Sequence, residues 1–282
     1  MLPTARDCAE VWGSPISHSL SPVLHRAAYK ALGLSWSYHA REVDVGSLAQ
    51  AWSDHTDRSF GLSLTMPVKE PILAMVPSRD SVVEILGVAN TVYWGGGTPH
   101  LANTDPWGVM GALGDDELVP QRPLILGAGA TARAVGYGLS LMGVSGVDLV
   151  VRNIERAGGC ATILQSLGLD VQIIEMSAVP LAGEWDLVVS TLPGGLRHGV
   201  YFSDELVHTA SLFDVTYYPW PSELATRWAA SPRSVVSGMG MLVHQALRQV
   251  RLFVHQDADV ALPLEEEVLL AMKNAVGFPS GP

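Results

Sequence analysis

The fold class predicted here is α/β: an N-terminal α/β domain followed by a domain built on a doubly wound parallel sheet. Three observations carry the prediction. The chain has 282 residues, more than one ordinary core needs and enough for two domains. A short apolar run at 123–126 enters a glycine turn and then a helix of small residues. Further apolar runs at 147–151, 185–191 and 212–215 alternate with helical stretches, the pattern of repeated βαβ units.

Composition narrows the possible roles. With 48% hydrophobic and 16% charged residues the chain can bury a sizeable core, and its formal charge of −11 disfavours nucleic acid and anionic membranes as general partners. A small anionic substrate stays possible, because a local cluster of donors decides that. Cys8 and Cys160 stand alone and far apart, so no disulfide framework and no metal-ligand spacing is present, as expected of a cytoplasmic protein. The N-terminus, with Arg6, Asp7 and Glu10, has no signal-peptide pattern, and Arg133 and the glycines make 124–151 a globular core segment, not a membrane span.

Taken in order, 11–13 closes a first strand. The loop 13–22 is dense in hydroxyls and ends at Pro22, which opens a helix to about 32 with Ser21 as its cap. In an extended loop Ser19 and Ser21 point to the same side and offer paired O–H donors to a carboxylate, although on this loop alone a capping serine with an idle neighbour is the favoured reading. A strand is expected over 36–43, a helix near 47–52, and a strand over 60–65 that stops at Met66-Pro67 before a helix beginning at Val68-Lys69. Lys69 therefore follows a strand end, where open α/β sheets keep ligand-binding groups. A strand over 87–93 carries Asn90, and glycines 95–97 make a turn before Asn103-Thr104-Asp105. A lone Lys or Asp in such places is ordinarily a solvated charge.

After the glycine turn, 157–167 reads as helix, 171–174 as strand, and 185–191 as a buried strand ending at Pro193-Gly194-Gly195. Residues 212–215 form a strand with Tyr217 just beyond it. Apolar residues from 239 to 254 keep helical spacing, and Pro263 with Glu265 to Glu267 and Lys273 marks a last helix aligned with its dipole. No internal repeat or low-complexity segment is present.

In the turn Gly127-Ala128-Gly129-Ala130-Thr131, Gly127 permits the tight bend and Gly129 lets a pyrophosphate approach the backbone, while Ala132 allows close helix–strand packing. The helix start directs N–H groups at phosphates. This is the shape of a dinucleotide site. The next strand ends about 20 residues on, where NAD sites place an acidic residue. Here Arg152, Asn153 and Arg156 stand there, and a guanidinium suits the 2′-phosphate of NADP.

The loop 13–22 resembles the substrate loop of shikimate dehydrogenases, G-x-P-I-x-H-S-x-S-P. Residues 65–69 resemble that family's N-V-T-x-P-x-K, 87–91 its G-A-x-N-T, and 103–108 its N-T-D-x-x-G. The glycine turn follows, then 214–219, similar to D-x-x-Y-x-P, and 238–246, similar to G-x-x-M-L-x-x-Q-A. These motifs keep one order along nearly the whole chain. The resemblance implies a substrate domain over 1–104 and 237–282, and a Rossmann NADP-binding domain over 105–236. It implies Lys69 and Asp105 as the catalytic pair, with Ser19, Ser21, Thr65, Asn90, Tyr217 and Gln245 completing the substrate set. The cofactor set is Gly127, Ala128, Gly129, Ala130, Thr131, Arg152, Asn153, Arg156, Thr191 and Gly238, with no metal.

The implied reaction is NADPH-dependent reduction of 3-dehydroshikimate to shikimate by a monomer or homodimer. Reducing a ketone makes an alkoxide, which takes a proton from a group within hydrogen-bond reach. A lysine does this near neutral pH when desolvation or a partner lowers its proton affinity. A ring with one carboxylate and several hydroxyls needs many short-range polar partners, and such a site rejects analogues lacking an OH.

Three departures from the pattern stand out. Ser63 replaces Asn, which shortens or removes one amide contact to substrate. Ala130 replaces a further glycine, and Val151-Arg152-Asn153 stands where N-R-T is typical. Two other readings stay open: an NAD-dependent quinate/shikimate dehydrogenase, and a non-catalytic sensor on the same domains. Arg152 speaks against the first, and retained Lys69 and Asp105 against the second.

Overall fold

The computed structural model describes residues 7–55, 59–178, 184–193 and 202–278. The chain divides into two compact units, Met1–Thr104 with Val243–Pro282, and Asp105–Leu242.

The first unit holds a five-stranded mixed sheet. Its strands are β1 (Cys8–Gly13), β2 (Ser37–Glu42), β3 (Gly61–Leu64), β4 (Thr91–Gly95) and β5 (Thr98–Ala102), in the order β2-β1-β3-β4-β5. The β1 strand runs parallel to β2 and β3; β4 and β5 are antiparallel, joined by a turn in which Gly96 and Gly97 take positive φ. Along β3 the side chains alternate: Leu62 and Leu64 enter a core with Trp12, Val68, Ile72, Val83 and Leu101, whereas Ser63 is directed to the other face. The helices α1 (Ser21–Ala31), α2 (Leu48–His55) and α3 (Ser81–Leu86) complete this half.

Four local expectations are corrected. Ser21 is not the cap of α1: Leu20 holds that position with no side-chain bond, and Ser21 lies in the first helical turn. The loop is also bent where an extended course was expected, because Ser19 N–H bonds back to Ile16 O and Ser19 Oγ accepts from Ser21 N–H. No α-helix begins at Lys69; residues 66–70 form a turn and Pro71–Ala74 a 3₁₀ segment. Pro71 lacks the N–H that an α-helix through this point requires. Residues 87–90 precede β4 as a loop, since Gly87 caps α3 at φ 64°.

The second unit carries a fully parallel six-stranded sheet. Its strands are β6 (Pro123–Leu126), β7 (Gly146–Val151), β8 (Asp170–Glu175), β9 (Leu187–Ser190), β10 (Ser211–Asp214) and β11 (Val235–Ser237). The order β11-β10-β9-β6-β7-β8 reverses direction between β6 and β9, which makes that junction the topological switch point. Both faces are buried. Ile125 joins a core with residues of α4 (Asp105–Asp115), α5 (Ala130–Leu141) and α6 (Ile154–Ser166), whereas Leu124 and Leu126 join one with α7 (Asp204–Thr209) and α8 (Glu223–Trp228). This is the doubly wound sheet, with a different set of helices on each face.

The chain then enters α9 (Gly238–His255), and α10 (Glu265–Ala275) packs on α1. Among the described residues no helix is long and apolar enough to cross a membrane, and no group of three or more His, Cys, Asp or Glu could hold a metal.

Candidate active site

In the first unit six of the expected substrate residues gather at one edge of the sheet. Ser19 and Ser21 follow the carboxyl end of β1, Thr65 and Lys69 that of β3. Asn90 directly precedes antiparallel β4, and Gln245 comes from α9. Hydrogen bonds tie these segments together. Ser14 N–H donates to Met66 O (2.9 Å), Leu64 N–H to Asn90 O (2.7 Å), and Ala89 N–H to Lys69 O (3.0 Å). Val68, wholly buried beside Lys69, anchors the turn in the core, while the Lys69 side chain stays half-exposed.

Asn90 and Gln245 meet directly: Asn90 Nδ2 donates to Gln245 Oε1 (3.2 Å) and Thr104 Oγ1 (2.9 Å). Asn90 Oδ1 accepts from Thr91 Oγ1 (2.7 Å) and Thr104 N–H (2.9 Å). Both amides are buried, so their orientation is set by these partners.

Behind them lies a polar network that the sequence does not signal. Tyr38 OH donates to Ser63 Oγ (2.5 Å) and Ser63 Oγ to Gln249 Oε1 (2.8 Å). His25 Nε2 lies 3.2 Å from the same oxygen, and Tyr29 OH 3.3 Å from His25 Nδ1. Since Gln249 Oε1 only accepts, His25 carries its proton on Nε2. Ser63 is thus engaged inward, with Tyr38 and Gln249.

Complete burial pushes the His25 imidazole down to about 3, only partly opposed by its bond to Gln249. Below pH 6.5 the unfolded chain takes up a proton that the folded chain refuses, so stability falls as pH drops from 6.5 toward 3 and is unaffected above. We expect His25→Gln to flatten unfolding free energy against pH over this window by about 1.4 kcal/mol per pH unit. Equal slopes in chemical denaturation of the two proteins would show that His25 accepts a proton in place.

In the second unit the expected cofactor residues lie at the carboxyl edge of the parallel sheet. Gly127 takes φ +107°, and a Cβ there would meet Thr191 Oγ1 at 2.6 Å. Thr191, just past β9, donates through Oγ1 to Leu126 O (2.7 Å) and so closes over the turn at the switch point. Gly129 caps α5 with open space where a Cβ would stand, a cradle that backbone-bound phosphate can use. Ala128, Ala130 and Thr131 line the same turn, and Ala130 has an ordinary helical backbone as the first residue of α5. The missing glycine therefore costs nothing in backbone strain.

Arg152 and Arg156 are exposed at the tip of β7 and the start of α6. Asn153 caps α6, its Oδ1 accepting from Arg156 N–H (2.9 Å). Gly238 opens α9 against Val215, where any Cβ would fall 1.9 Å from the carbonyl oxygen. Asp105, 5% exposed, is the first residue of α4. Tyr217 follows β10 half-buried, and burial raises its phenol above the usual value, which keeps it an O–H donor at neutral pH. Its loop is held by buried Asp214, whose carboxylate accepts from Thr216 N–H (3.1 Å) and Ser222 Oγ (2.5 Å). Gly194 and Gly195, expected to end the strand before them, lie outside the described residues.

Residues 11–92 match the family model of the shikimate dehydrogenase substrate binding domain. A shikimate dehydrogenase (NADP(+)) of Methanopyrus kandleri is 31% identical over 270 residues, covering 91% of this chain and 93% of the relative. Among solved structures, the shikimate dehydrogenase of Mycobacterium tuberculosis is 34% identical with a TM-score of 0.83, over 95% of this chain and 99% of that one. The shikimate 5-dehydrogenase of Thermus thermophilus, solved in complex with NADP(H) and shikimate, is 28% identical with a TM-score of 0.80, again over 95% and 99%.

Proposed function

Because this chain belongs to the shikimate dehydrogenase family, we propose that it reduces 3-dehydroshikimate reversibly to shikimate with NADPH, using Lys69 as acid and base. The observation that carries this reading is the gathering of Ser19, Ser21, Thr65, Lys69, Asn90 and Gln245 at one sheet edge. Ser19 and Ser21 take the substrate carboxylate; Thr65, Asn90 and Gln245 take its hydroxyls. When bound, the reduced nicotinamide supplies the hydride. Lys69 Nζ gives a proton to the carbonyl oxygen as it becomes a hydroxyl, and in the reverse direction takes it back. Asp105 and Tyr217, both of the second unit, are the residues the family pattern adds to this set.

Gly127 and Gly129 fit a pyrophosphate on the α5 N-terminus, and Arg152 and Arg156 fit a 2′-phosphate. The test is the initial rate of nicotinamide reduction, crossing shikimate and quinate against NADP and NAD. Shikimate with NADP is expected to lead; turnover led by quinate with NAD would overturn the assignment. Arg152→Ala is expected to raise KM for NADP about tenfold and leave KM for NAD unchanged, since an exposed guanidinium contributes one or two charge-assisted bonds to the 2′-phosphate alone. Equal effects on the two cofactors would place Arg152 away from the 2′ position.

A further inference from the structure

We propose that Gln249 is a positioning residue for the substrate site: from α9 it fixes the orientation of Asn90, and through it Gln245, and it stands in for the amide absent at Ser63. The inference rests on the reading of Asn90 and Gln245 as substrate ligands given above.

Gln249 is 1% exposed and uses both ends of its amide. Its Nε2 donates to Asn90 O (3.0 Å) and to Thr91 Oγ1 (3.0 Å). Its Oε1 receives Ser63 Oγ and faces His25 Nε2. Because Thr91 Oγ1 accepts from Gln249, its own proton is free to go to Asn90 Oδ1. That fixes Asn90 with its oxygen toward Thr91 and Thr104 N–H, and its Nδ2 toward Thr104 Oγ1 and Gln245 Oε1.

The bonds therefore run one way, Tyr38 to Ser63 to Gln249 to Thr91 to Asn90 and on to Gln245. Each link polarises the next, so the amide of Gln249, acting through Thr91 and together with Thr104 N–H, holds Asn90 in one orientation toward a ligand. All the members are buried, so water cannot replace the lost link cheaply. Ser63 Oγ lies 2.8 Å from Gln249 Oε1, so an asparagine at 63 would place its amide where the Gln249 head now sits. The two positions compete for one polar slot.

The experiment measures steady-state constants of the full chain for shikimate and NADP, with thermal midpoints alongside. Gln249→Met keeps the volume and removes the amide. It is expected to raise KM for shikimate about tenfold, leave KM for NADP unchanged and change kcat less than about threefold, as expected for loss of one buried positioning bond. The double variant Ser63→Asn/Gln249→Ala restores an amide to the slot and is expected to bring KM for shikimate back to within about threefold of the parent. A merely structural role would lower the thermal midpoint and leave KM for shikimate unchanged, and that result overturns the proposal.

If Gln249→Met does not fold, Thr91→Val breaks the same relay one bond nearer Asn90 and carries the same expectation. Asn90→Ala and Gln245→Ala separate the two levels of argument. If neither raises KM for shikimate, the reading of the substrate site fails; if both do and Gln249→Met does not, only the present inference fails.

Discussion

Lys69→Ala is expected to lower kcat for shikimate oxidation by about a thousandfold, the scale of a positioned acid–base group, while shikimate binding weakens far less. The expectation rests on where Lys69 sits. Its backbone carbonyl is bonded to Ala89 N–H, and its neighbour Val68 is wholly buried, so the turn is rigid up to the point where the side chain leaves it. Truncating a half-exposed side chain there removes a proton carrier without opening the core. Lys69→Arg sharpens the test, since a guanidinium keeps the positive charge and the donors but does not give up its proton. Acid–base chemistry predicts that both variants are slow and that both still bind shikimate by calorimetry. A fast Lys69→Arg enzyme would reduce Lys69 to an electrostatic ligand. A parent protein that binds shikimate with no turnover in any cofactor would make this chain a sensor.

What was legible in advance was local chemistry. The apolar run of β6, the positive φ that only Gly127 tolerates and the arginine after β7 all act within a few residues of themselves, so their order along the chain already describes the turn. The buried strands β7, β9 and β10 were equally plain, because strands covered on both faces are mostly apolar, broken here only by single polar residues such as Asp148 and Asp214. Short elements were missed. The six-residue helices α3, α7 and α8 owe their starts to single capping side chains, Asp80, Ser203 and Ser222, which are indistinguishable in sequence from loop residues. The Ser63–Gln249 pair was beyond reach for another reason. Its members are 186 residues apart, and although Ser63 stands out against the family pattern, nothing in the sequence links it to Gln249, which lies beyond the last motif. Only the packing of α9 behind β3 turns a missing asparagine and a spare glutamine into one feature.

Gly13→Ala is expected to lower kcat/KM for shikimate about a hundredfold, although residue 13 supplies no side chain to any ligand. Gly13 does not take a positive φ, so the backbone itself tolerates alanine. The space does not. A Cβ would lie 2.3 Å from Thr65 Cγ2 and 2.7 Å from Met66 O, and the carbonyl cannot step aside, because Ser14 N–H and Thr65 N–H stitch the two loops together at 2.9 Å. Relief therefore comes from moving the 65–69 turn as a body, carrying Thr65 and Lys69 with it. A displacement of about 1 Å at a reacting group is enough for a loss of that size. Overpacking adds about 1–3 kcal/mol of instability, which alone could mimic a damaged site. Gly61→Ala supplies the comparison: its Cβ would strike the Phe253 ring at 2.3 Å, at the far end of β3 from the turn. Both variants should melt earlier, and only Gly13→Ala should lose kcat/KM per folded molecule. If the two lose activity in proportion to stability alone, then the close approach of the two loops serves folding, and the precise seat of Lys69 tolerates the shift.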